Sequence, residues 1–296
     1  MKLATYRDGS RDGQLLVVSR DLRSAHYATT AAHTLLQALD DWNFIAPQLQ
    51  DLYVALNQGR ARHAFVFEPP RCMAPLPRAF QWLVADADPV GIPAAAPLLR
   101  QGSGAAFSGP MDDMVLPDDA LDPGCSAGLA VITGDLPAMA GPEQGLDSIR
   151  LLMLCNDWRL RALEGDPSGV GGRGIESRPA TAFSPVALTL DELGQSWGRG
   201  RLQATVEIGL NGRSIGSSDT GAARWHFGQL IAQACRTRPL AAGCVLGMAL
   251  GRADAARQAQ QDLPQLRWGD RLRIEARGRD GQSLFGAIEQ TLADRG

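Results

Sequence analysis

Two uninterrupted apolar runs, GLAVIT at residues 128–133 and LLMLC at residues 151–155, constrain this chain most. Each has the length of a strand, and neither alternates with polar residues. Such a run fits a strand buried on both faces, near the middle of a sheet. The rest of the chain must then supply a layer for each side. Residues 143–149, between the two runs, suit a short helix. Residues 201–210 alternate as a strand up to Asn211-Gly212, a dipeptide that accepts the positive φ of a tight hairpin, and residues 213–217 return. A helix is expected over 227–235. Residues 244–250, 271–276 and 283–291 read as strands, the last two joined by a turn at Arg279-Asp280-Gly281. Many short strands with few helices predict an α+β fold, a mixed β-roll or β-sandwich, rather than a nucleotide-binding α/β sheet.

The N-terminal third reads differently. Residues 15–19 form a short strand, while 32–42 and 46–60 place Leu35, Leu36 and Leu39, then Leu49, Leu52, Tyr53 and Leu56, at helical spacing. A small α/β domain over 1–75 follows, with two helices covering a small sheet. Residues 69–110 are rich in proline, alanine and glycine, as in APLP and GIPAAAP, which makes regular structure hard to sustain. The expected division is therefore 1–75, a linker at 76–110, and a β-roll domain at 111–296.

Composition excludes several functions. With 29 basic and 32 acidic residues and no basic stripe, the chain is not expected to bind nucleic acid. Its first residues lack the apolar core of a signal peptide, and no run reaches about 18 apolar residues, so a soluble, cytoplasmic protein without membrane contact is expected. The five cysteines show no Cys-x-x-Cys pair, which points to reduced core thiols. Lys2 is the only lysine, and arginine cannot serve as an amine nucleophile, so Schiff-base chemistry is excluded. The glycine run GVGGRG at 169–174 lacks the preceding strand a dinucleotide loop requires.

The segments MKLATYRDGSRDGQLLVVSRDL, LAVITGD, IRLLMLCNDWRLR, SRPATAFSPVAL, HFGQLIAQACRTR and WGDRLRIEARGRDGQSLFGAIEQ together resemble a bacterial branch of the fumarylacetoacetate hydrolase family, from end to end. The resemblance implies a small N-terminal domain, a C-terminal mixed β-roll and a homodimer. It also implies magnesium, manganese or calcium held by two glutamates of a Glu-x-Glu strand and the aspartate of an Asn-Asp motif, since hard cations take oxygen ligands. That metal would polarise a 1,3-dicarbonyl or 2-oxo acid while a histidine-activated water attacks.

Against that pattern the chain departs at four places. Ser126 and Gly128 stand where the glutamates are expected, leaving Asp157 of the three carboxylates. Arg178 replaces a lysine, residues 247–250 read GMAL rather than Gly-x-Gly-Thr, and residues 83–97 are shortened and carry no histidine. Neither a metal nor another cofactor is expected. The candidate catalytic residues are Asp157 as an acid–base group, Arg178 as an anion clamp and His226 at a helix start. Two functions remain open. One is a family relic that binds a small oxo-acid or dicarbonyl, or serves as a dimeric partner. The other is a repurposed metal-free tautomerase, cyclase or decarboxylase. Arg178 is expected within hydrogen-bonding reach of Asp157, replacing the lost cation.

Overall fold

The computed structural model describes residues 1–85, 96–164, 176–250 and 265–295. The glycine run 169–174 and most of the shortened segment 83–97 lie outside these residues. The two apolar runs become Ala127–Thr133 and Ile149–Asp157, paired antiparallel at the centre of an 11-stranded sheet. Both are buried on both faces, as their unbroken apolarity requires. Leu129, Val131, Leu152 and Leu154 enter one core, and Ala130, Ile132, Leu151 and Met153 enter the other. The two-residue period of a strand divides each run between two layers.

One layer is helical. Leu35–Asp40 is capped by Thr34, whose hydroxyl accepts from the Gln37 N–H, and Trp42–Asn57 buries Leu49, Tyr53 and Leu56. The second helix starts a turn earlier than expected and carries Pro47 inside it. The other layer is a five-stranded sheet built from Thr205–Leu210, Arg213–Asp219, Arg271–Arg277, Ile288–Asp294 and Met114–Leu116. Its hairpin turns at Asn211 (φ 51°) and Gly212 (φ 78°), the left-handed pair that the dipeptide predicts.

The architecture is α+β, with mostly sheet and few helices. Two features go beyond the sequence reading. The N-terminal strands Lys2–Tyr6, Gln14–Val18 and Ser24–Tyr27 join the central sheet through the pairing of Lys2 with Leu188. The proline-rich segment also contributes strands, Trp82–Ala85 and Leu99–Gly102, where an irregular linker is expected. Trp82–Ala85 runs parallel to Val245–Ala249 and antiparallel to Leu99–Gly102, so the segment extends the central sheet. All five cysteines are free and buried. No helix among the described residues is long and apolar enough to cross a membrane.

Candidate functional site

Strand register assembles the site. Asn156 pairs with Ala127 and Cys155 with Gly128, and the Asp157 N–H donates to the Ser126 carbonyl at 3.0 Å. Alternation therefore puts Ser126, Gly128, Cys155 and Asp157 on one face of two adjacent strands. Asn156 points the other way. Its Oδ1 accepts from the Ser126 N–H at 3.1 Å, and its Nδ2 donates to Gln290 of the second sheet at 3.3 Å. Trp158 Nε1 donates to the same Gln290 oxygen at 2.9 Å, so this polar contact ties the two sheets together beneath the site.

Asp157 is buried, and its side chain is 5% exposed. Its Oδ2 accepts from Arg100 Nη2 at 2.7 Å and from Arg178 Nη1 at 3.3 Å, and its Oδ1 accepts from the Thr181 hydroxyl at 2.7 Å. The Arg178 guanidinium thus lies within the expected reach of Asp157. Arg178 also meets Glu164 at 3.3 Å, and Glu164 is forked by Arg159, whose Nε is 2.9 Å away. The result is a chain of alternating charges from Arg100 through Asp157, Arg178 and Glu164 to Arg159. Charge-assisted hydrogen bonds of this kind are what allow a carboxylate to stay buried.

Sequence reasoning missed Arg100, Thr181 and Glu164. Arg100 sits in the segment read as linker. Its only local signal is a single charge after Leu98-Leu99, which gives no hint of a partner 57 residues away.

His226 is elsewhere. It precedes the helix Phe227–Ala234, where its N–H donates to the Gln229 side chain at 3.1 Å. A Cβ on Gly200 would lie 3.0 Å from its Nδ1, and that nitrogen is buried with no hydrogen-bond partner among the described residues. Burial, and secondarily the charge of Arg201, lowers the imidazole pKa below its ordinary 6.5. Among the described residues no hydrogen bond or ion pair joins His226 to Asp157 or Arg178. Burial pushes the Cys155 thiol well above its ordinary range, so it is a packing group rather than a nucleophile.

The described residues around Asp157 do not fit a divalent cation. Asp157 is the sole carboxylate on its face of the paired strands, and two guanidinium groups already crowd it. Gly128 has no room for an acidic side chain: even a Cβ there would lie 2.7 Å from the Met248 carbonyl oxygen and 2.9 Å from Cys155 Sγ. Among the described residues no group of three or more His, Cys, Asp or Glu side chains could hold a metal ion. Among the described residues, clefts of about 530, 510 and 400 Å³ open away from Asp157. The first lies on the five-stranded sheet, where Arg273 is paired with Glu275 at 3.1 Å and with Glu289.

Residues 1–78 match the Fumarylacetoacetase N-terminal domain 2, and residues 80–293 match the Fumarylacetoacetate (FAA) hydrolase C-terminal domain. The chain belongs to the fumarylacetoacetate hydrolase family. Its fold is similar to that of maleylpyruvate hydrolase from Sphingobium sp. SYK-6 in complex with manganese (II) ion and pyruvate, at 17% identity and TM-score 0.71, covering 99% of each chain. Fumarylacetoacetate hydrolase from psychrophilic Exiguobacterium antarcticum matches at 17% identity and TM-score 0.71 over 100% of each chain. The 2-hydroxyhepta-2,4-diene-1,7-dioate isomerase from Mycobacterium marinum matches at 14% identity and TM-score 0.60, covering 80% of this chain and 82% of that one. No curated protein matches the chain.

Proposed function

We propose that this family member has given up metal-dependent carbon–carbon bond hydrolysis and acts as a homodimer that binds a small oxo-acid or dicarbonyl compound without turning it over. The observation that carries this reading is the bridging of Asp157 by Arg100 and Arg178. A carboxylate committed to two guanidinium groups is a poor metal ligand. Arg100 and Arg178, with side chains 20% and 12% exposed, put two permanent positive charges beside Asp157, which favours an anionic ligand such as an oxo-acid carboxylate. The structural relative with bound pyruvate makes a 2-oxo acid the first compound to try.

The alternative, metal-free acid–base catalysis by Asp157, is less well supported. Its Oδ2 already accepts two hydrogen bonds and its Oδ1 one, and His226 is not joined to it.

The test has two arms. Purified protein is incubated with acylpyruvates and Mn²⁺ while loss of enol absorbance is followed, and thermal unfolding is measured with and without pyruvate and oxaloacetate. No turnover above buffer is expected, together with stabilisation by an oxo-acid that Arg178→Ala abolishes. Metal-dependent turnover would overturn the loss of hydrolysis, and indifference to every oxo-acid would overturn ligand binding.

A further inference from the structure

We infer that Arg100 is a built-in counter-cation, a tethered guanidinium that closes the Asp157 position to free cations and can be replaced there by a soluble guanidinium ion. This inference rests on the metal-free reading above and deepens it by naming the occupant.

The two arginines are not equivalent. Arg100 Nη2 stands 2.7 Å from Asp157 Oδ2, whereas Arg178 Nη1 stands 3.3 Å from it and its other terminal nitrogen is 3.3 Å from Glu164. Arg178 meets two carboxylates at 3.3 Å each, and the shorter contact to Asp157 is that of Arg100. Arg100 is also held from a rigid base. Its strand Leu99–Gly102 pairs residue by residue with Trp82–Ala85, Arg100 opposite Val84. Gly102 abuts the buried Trp82 side chain, where a Cβ would overlap the indole. The strand is thereby fixed in depth and register, and the guanidinium is delivered to the carboxylate without a search.

A tethered cation has a high effective concentration at its partner, so dissolved cations do not displace it. Its removal has a defined consequence. Arg100→Ala would vacate the place of a planar guanidinium beside a buried carboxylate, and the 20% exposure of the Arg100 side chain marks a path to solvent. A small planar cation fits that space. Mn²⁺ does not, because neither Ser126 nor Gly128 supplies a further carboxylate.

Thermal unfolding of the wild type, Arg100→Ala and Arg100→Ala/Asp157→Asn is measured against millimolar methylguanidinium chloride, with sodium chloride of equal ionic strength as the control. Arg100→Ala should melt below the wild type and regain at least half of the loss with methylguanidinium, while sodium chloride does nothing. The double variant should not respond. An Arg100→Ala protein indifferent to methylguanidinium, or a double variant that responds equally, would overturn the proposal even if the wild type proves metal-free. Should Arg100→Ala be insoluble, its refolding yield with and without methylguanidinium carries the same decision.

Discussion

At the scale of single residues, the second arginine changes the energetics that sequence alone predicts. With Arg178 as sole partner, its removal would strand a buried carboxylate and cost about 3–5 kcal/mol. Arg100 remains at 2.7 Å, so Arg178→Ala should lose one charge-assisted bond, about 1.5–3 kcal/mol. Removing both arginines should reach the full penalty of about 3–5 kcal/mol, and adding Asp157→Asn should recover part of it. Denaturant unfolding of the set checks this. Equal costs for the single and double arginine variants would refute the shared bridge.

His226 makes a pH prediction. Its folded pKa is depressed below the ordinary 6.5 by burial and Arg201, so the unfolded chain binds more protons between the two values. Stability should therefore rise with pH across that window, up to about the unfolded value, and level off above it. Thermal midpoints from mildly acid to neutral pH should show a slope that His226→Gln reduces. An unchanged slope would place the titrating group elsewhere.

At the scale of elements, the unexpected pair of strands in the proline-rich segment depends on close backbone approach. Trp82 is buried between Gly102 and Gly247, one from each flanking strand, and makes edge contacts with Phe107 and Phe183. A Cβ on either glycine would overlap the ring. Gly247→Ala should thus cost about 1–3 kcal/mol through overpacking, and a Trp82→Phe background should relieve much of it. If the paired changes prove additive, the glycine acts independently of the indole.

This packing explains how much of the molecule was legible. Residues 128–133 and 151–155 announce themselves because apolarity on both sides of a strand is a local property. The hairpin at Asn211-Gly212 is equally local. Leu99–Gly102 is not: Arg100 and Gln101 are polar, and the strand forms because Trp82–Ala85 and Asp157 lie beside it in the fold. Asp157 and Arg178 were legible through a family resemblance, since a motif fixes where a side chain points. Arg100, Thr181 and Glu164 have no such motif, and only tertiary pairing brings them to the site.

At the scale of the whole molecule, the sheet with its two covering layers persists at 17% identity to relatives that share the fold over the full chain. The fold is therefore kept across a large change in sequence. Cys155 and the Met248 carbonyl close on Gly128, so introducing acidic residues as Ser126→Glu/Gly128→Glu should destabilise the protein instead of creating a metal site. The central claim is that Arg100 and Arg178 have taken the place of a cation at Asp157. The most direct test is elemental analysis of wild-type protein after equilibration with Mn²⁺ and Mg²⁺ and gel filtration in metal-free buffer. The account predicts no stoichiometric divalent metal. Retention of one ion per chain would contradict it.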